Sequence, residues 1–151
     1  MAKMSVYEDN SFEDLWKMNF GGFAEEALAE SAEILEAKMK ANAKSVIQHE
    51  GDSEMVNSIK ASTPKKAKNG AFIVNVGPRG YSKTKKYHAK NGKGVNTKRT
   101  YPVSNALKAI WKEYGIPGRQ PAQPFISPSV SQTENQIYDL LQKKFEEKAQ
   151  L

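Results

Sequence analysis

Eight lysines and arginines and no carboxylate fall within GPRGYSKTKKYHAKNGKGVNTKRT, residues 77–100. Cations at that density neutralise phosphates and release counterions, and tyrosines among them can stack on unpaired bases. Arg79, Lys83, Lys85, Lys86, Lys90, Lys93, Lys98 and Arg99 are the candidate contact residues, with Tyr81, Tyr87 and Tyr101 interleaved. They suit the phosphates of a nucleic acid or the acidic face of another subunit. Catalytic chemistry finds less support. The histidines His49 and His88 lie in different surroundings, cysteine is absent and no G-x-S-x-G occurs, so no nucleophile has a base beside it. A metal-dependent nuclease needs carboxylates next to its basic surface, and this stretch has none. Gly77, Gly80, Gly92 and Gly94 match neither the P-loop nor the dinucleotide spacing. The expectation is a non-enzymatic protein with no catalytic residue, metal or cofactor.

The charge is segregated along the chain. No acid lies between Glu54 and Glu113, an interval holding fourteen lysines and arginines, so the two ends together carry nine basic residues against all 17 acids. Such an acidic–basic–acidic layout suits an anionic partner in the middle, or copies packed acidic end to basic middle. No apolar run is long enough to span a membrane, and the first residues lack the order of a signal peptide.

The elements that would carry these residues can be read in outline. A length of 151 residues suits one domain, with residues 1–22 as an N-terminal extension. Leu28, Ile34, Leu35, Met39 and Val46 recur at helical spacing among alanines, predicting a long helix over 24–47; Gly21-Gly22 would separate it from a short helix over 12–18. Asn69-Gly70 predicts a hairpin joining a strand near 58–62 to AFIVNV, whose Phe72, Val74 and Val76 share a face, with Gly77-Pro78 ending the second strand. Residues 79–101 show no sustained period and read as a long flexible loop. Leu107, Ile110, Trp111 and Tyr114 form the apolar stripe of a further helix that Gly115 would close. A proline-broken segment follows. The last helix then begins at a Ser127 cap with Pro128 in its first turn, or at a Ser131–Glu134 capping box, and Ile137, Leu141 and Phe145 form its stripe. The class is α+β: a long N-terminal helix and C-terminal helices packed on a small antiparallel sheet, with a long basic loop.

Four short signals add to this, in order: GDSEMVNSI at 51–59, FIVNVGP at 72–78, KEYG at 112–115 and PAQPFISPSV at 121–130. Together they resemble the small tail-completion, or head–tail joining, proteins of long-tailed bacteriophages. The residues carrying the resemblance are Gly51, Asp52, Gly77, Pro78, Glu113, Tyr114, Gly115, Pro124, Phe125 and Pro128. The chain departs from the pattern with Ile116 in place of threonine, Gln123 in place of arginine, and Met55 or Val56 for the leucine after Gly-Asp. The resemblance implies a minor virion component, assembled in the bacterial cytoplasm into a ring at the neck, of six copies by analogy. Its partners would be tail tube or terminator proteins and the head connector, with nonspecific contact to genomic DNA from the basic stretch. Phe125, held between Pro124 and Pro128, would serve as an interface anchor or as core. The alternative is a nonspecific nucleic-acid-binding protein whose basic middle is its whole function.

Overall fold

A computed structural model describes residues 20–47 and 52–149. Helix α1 runs Phe20–Val46, followed by the short α2, Ser53–Asn57. Strands β1 (Ile59–Ala61), β2 (Lys65–Lys66), β3 (Phe72–Ile73) and β4 (Val76–Pro78) come next. Then come β5 (Tyr81–Lys90), β6 (Asn96–Ser104), α3 (Asn105–Tyr114) and α4 (Ile126–Ala149). The α+β class agrees with the sequence reading. The short helix expected over 12–18 lies outside the described residues, as does Gly51.

Alanine and straight-chain residues make α1 strongly helical, and Gly21-Gly22 lie inside it rather than before it. Its inward ridge is Ala27, Ser31, Leu35, Met39 and Ala43, an i, i+4 row, so small residues rather than Leu28 or Ile34 carry the packing. Those small side chains admit α4 antiparallel alongside. Phe23 meets Phe145 edge-on at 6.2 Å, and Lys144 reaches Glu26 at 3.0 Å and Glu30 at 2.6 Å. At the other end Asn42 Nδ2 donates to Ser129 Oγ at 2.9 Å. Serine and threonine at 129 and 133 are buried on α4, so the stripe expected at Ile137, Leu141 and Phe145 begins as a polar seam.

β1–β4 form one interrupted hairpin. Ile59, Lys60 and Ala61 pair with Pro78, Gly77 and Val76, whereas Lys65 and Lys66 pair with Ile73 and Phe72. The register slips by one because Thr63 and Pro64 stand opposite Val74, and Pro64 has no N–H for the ladder. Gly77 and Pro78 are paired strand residues, and the strand ends at Pro78 as the sequence reading expects. The turn is a three-residue loop: Ala67 N–H bonds Ala71 O, Gly70 N–H bonds Ala67 O, and Gly70 takes φ +86. Glu36 anchors the hairpin to α1 by accepting the Ala61 N–H at 2.6 Å.

The core comprises Met39, Ala43, Met55, Val56, Ile59, Ala109 and Phe125. Phe125 is fully buried there, so it fills the core and is not a docking anchor. Met55 and Val56 together occupy the place expected for a leucine.

After α3 the chain reverses at Gly115, with φ +75. A Cβ there would lie 2.7 Å from Gln120 O and 2.8 Å from the Ala122 N, both backbone atoms that cannot swing away. Gly115→Ala is expected to lower unfolding free energy by about 2 kcal/mol, combining left-handed strain with the clash. A chemical-denaturation midpoint unchanged by this substitution would contradict that geometry.

Candidate assembly interface

Helix α3 forms where the sequence predicts it, but it buries its polar face rather than its apolar stripe. Its buried residues are Asn105, Lys108, Ala109, Lys112 and Glu113, while Ile110 is 50% and Tyr114 77% exposed. The apolar stripe therefore lies away from the buried face, with Ile110 and Tyr114 exposed and Leu107 and Trp111 half-buried. The inward polar face holds its place because it meets partners. Ser104 caps the helix by accepting the Leu107 N–H at 3.1 Å. Asn105 Nδ2 donates to Arg79 O at 2.8 Å. Lys108 Nζ donates to Ser82 Oγ at 2.8 Å and lies 3.7 Å from Glu54. Lys112 Nζ lies 3.2 Å from Asp52 and donates to Gln123 Oε1 at 3.3 Å.

Glu113 makes the most demanding set of contacts. One carboxylate oxygen accepts the N–H groups of Phe125 at 2.9 Å and Ile126 at 2.8 Å; the other accepts the Ser127 N–H at 2.9 Å and the Ser127 hydroxyl. These are the orphan donors at the start of α4, where Phe125 has no capping oxygen of its own. A carboxylate from another helix takes that role and also meets the positive end of the α4 dipole. Ser127 is consequently a donor to Glu113 rather than the cap. Ser131 lies within the helix, donating to Ser127 O at 3.2 Å, so no capping box forms. Pro128 does fall in the first turn.

The electrostatics follow from these contacts. Burial pushes the Glu113 carboxyl up, but the Ser127 hydroxyl and three backbone donors outweigh it and hold the group below the ordinary carboxylate range. Asp52 likewise is raised by burial and lowered further by the Lys112 hydrogen bond and the charges of Lys85 and Lys112, with a net downward shift. Glu54 is lowered, first by the Ser82 hydroxyl. Asp52, one of the residues that carry the family resemblance, makes no cap bond to α2 and serves these lysines instead.

Residues 81–104 form an antiparallel ribbon where the sequence suggested a loop. Lys86, Tyr87 and His88 pair with Pro102, Tyr101 and Thr100. Its tip repeats the first hairpin's turn: Asn91 N–H bonds Val95 O, Gly94 N–H bonds Asn91 O, and Gly94 takes φ +74. Alternation was invisible because both ribbon faces are exposed over most of its length, leaving no apolar side to mark the period. Asn91-Gly92 followed by Gly94 was the usable signal. Between Tyr81 and Lys86 the register shifts, and this bulge turns Ser82 inward, to 2% exposure, and brings Lys85 to 3.5 Å from Asp52.

The structure spreads the sequence-selected cations rather than collecting them. Lys83, Lys86, Lys90, Lys98 and Arg99 are exposed along the ribbon, Lys93 is at its tip, and Arg79 precedes it with its guanidinium 3.5 Å from Asn75 O. Tyr87 and Tyr101 contact each other across the strands at 5.8 Å, and Tyr81 is exposed. His88 Nδ1 lies 3.0 Å from Thr97 O, away from any acid–base partner among the described residues. Lys108, Lys112, Ser82 and Glu54, which organise the region, were not singled out from sequence.

Residues 9–114, more than half of the chain, match the model of the family described as "Bacteriophage HK97-gp10, putative tail-component". The chain belongs to this family. This agrees with the tail-completion resemblance and makes the protein a bacteriophage tail component. The match runs through α3 to Tyr114, so it includes Asp52, Gly77, Pro78 and Glu113 but stops before Gly115, Pro124, Phe125 and Pro128. No curated protein and no solved structure matches the chain. Among the described residues no helix is long and apolar enough to cross a membrane.

Proposed function

We propose that this tail component completes the tail and joins it to the head, as a non-enzymatic ring at the neck of the particle. The observation that carries the reading is the inverted α3. A partnered polar face is spent inward, and Ile110 and Tyr114 are left exposed beside the half-buried Leu107 and Trp111, an apolar face that suits a contact surface. A second copy is the partner that suits it, since the chain's acidic ends and basic middle are complementary and head-to-tail contacts close into rings. A ring of six follows by family analogy. Docking to terminator or connector proteins would use the faces left at its two ends. The test is reconstitution: purified tails lacking this chain should fail to join filled heads, and adding it should restore infectious particles. Joining at the full level without it would remove the role.

The basic ribbon fits a lumen position, where lysines meet genomic DNA through phosphates alone. A duplex of about 30 base pairs should bind weakly, and lose that binding between about 50 and 150 mM salt. Deleting the ribbon tip should reduce the salt slope. Submicromolar binding near 150 mM salt, abolished by the deletion, would instead favour a nucleic-acid-binding protein with the ribbon as its active surface.

A further inference from the structure

Helix α4 carries a second row of side chains beside the one packed on α1. Val130, Glu134, Tyr138, Leu141 and Phe145 follow one another at intervals of four, four, three and four, so they share a face. Val130 is 48% and Tyr138 63% exposed, while Leu141 is half-buried. Glu134 is the one charge in this row, and its carboxylate meets no cation among the described residues. Over residues 126–142 the helix holds two acids, Glu134 and Asp139, and no cation. The surroundings of α3 are the counterpart. Exposed Ile110 and Tyr114, with half-buried Leu107 and Trp111, run on into Ile116, Pro117 and Pro121, which border a shallow groove beside Arg119. The exposed Arg119 guanidinium has no carboxylate against it among the described residues. Residues 79–119 carry eleven lysines and arginines and a single acid, Glu113, which is committed to the start of α4.

We propose that the apolar face of α3 docks on the α4 row from Val130 to Phe145 in a neighbouring copy, with Arg119 of one copy against Glu134 of the next. Charge decides the pairing. Two α3 faces brought together would oppose basic surroundings to basic ones, and two α4 rows would oppose acid to acid. Only α3 on α4 joins unlike charges. The lengths agree as well: Leu107 to Tyr114 spans about 10 Å of helix and Val130 to Tyr138 about 12 Å. Ile110, Tyr114, Val130 and Tyr138 are all exposed in the single chain, so neither face covers the other within it and each copy offers one of each. A contact of this kind is head-to-tail and can close into a ring. The inference rests on the ring reading for its second copy, and adds the surface that receives α3.

Charge reversal in the full chain tests the pairing. Arg119→Glu weakens association of copies at least about tenfold and Glu134→Arg does the same, whereas the double variant returns to within about threefold of the parent. Both positions are exposed, so the dilute variants keep the parent Tm to within about 2 °C. Cross-linking reads the placement, since the chain has no cysteine of its own. Pro117→Cys and Ser131→Cys, exposed beside Arg119 and Glu134, are mixed and treated with a short bis-maleimide. The expected product joins position 117 of one copy to position 131 of another and forms only on association. A chain carrying both thiols gives a ladder of linked copies beyond the dimer. Links of 117 to 117 or of 131 to 131 alone, or reversals that do not rescue one another, overturn the pairing while copies still associate and the ring reading stands. Association indifferent to both reversals and without a 117–131 link gives these faces to another tail protein, and likewise overturns it. A chain monomeric throughout removes the ring reading itself, and the pairing with it.

Discussion

Replacing Glu113 with alanine lowers unfolding free energy at neutral pH by about 3 kcal/mol, because buried donors lose a charged acceptor. The substitution strips the N–H groups of Phe125, Ile126 and Ser127 of their partner at once. It also removes the link by which α3 fixes the start of α4, leaving Phe125 to be held in the core by packing alone. The pH dependence gives a second signature. The folded-state pKa of Glu113 lies below its ordinary value. Its contribution is therefore complete above the unfolded carboxylate pKa of about 4.3 and is lost as pH falls through the depressed folded value. The stability gap between the parent and Glu113→Ala should narrow as pH drops from 7 toward 3. Urea unfolding at both pH values checks it. A gap under about 1 kcal/mol at pH 7, or one that does not narrow in acid, would show that the carboxylate is not the cap.

Combining Ile110→Asp with Tyr114→Ser weakens association of copies by at least about 30-fold, about 2 kcal/mol, as expected when central apolar contacts are replaced by polar groups. Both positions are exposed in the single chain. The monomer should therefore keep its stability to within about 0.5 kcal/mol, which separates loss of an interface from loss of the fold. Sedimentation velocity reads the first quantity and thermal melting the second. A variant that melts early would place these side chains in the core. One that associates normally would place the contact elsewhere.

The contrast between α1 and α3 shows where sequence is informative. In α1 the apolar positions and alanines left one sensible inward face, although alanines turned out to pack closest. In α3 two stripes are each consistent with a helix: Leu107, Ile110, Trp111, Tyr114 and Asn105, Lys108, Ala109, Lys112. Periodicity cannot rank them. The choice depends on Asp52, Glu54, Ser82 and Phe125 arriving from distant parts of the chain, and a single sequence does not show those meetings. The motif residues Glu113 and Phe125 were legible as important and Gly115 as a reversal, but the carboxylate joining two helices was not. The basic ribbon was missed because lysines on both faces erase the alternation that marks a half-buried strand.

The most direct measurement uses the absence of cysteine from the chain, which makes one introduced thiol unique. Ile110→Cys and Lys68→Cys, the latter on the exposed hairpin turn, are each reacted with a thiol reagent in dilute and in associating solutions. If the outward face of α3 is the surface between copies, the thiol at position 110 is protected at least about tenfold on association, while position 68 reacts unchanged. Equal reactivity at position 110 in both solutions would contradict the account.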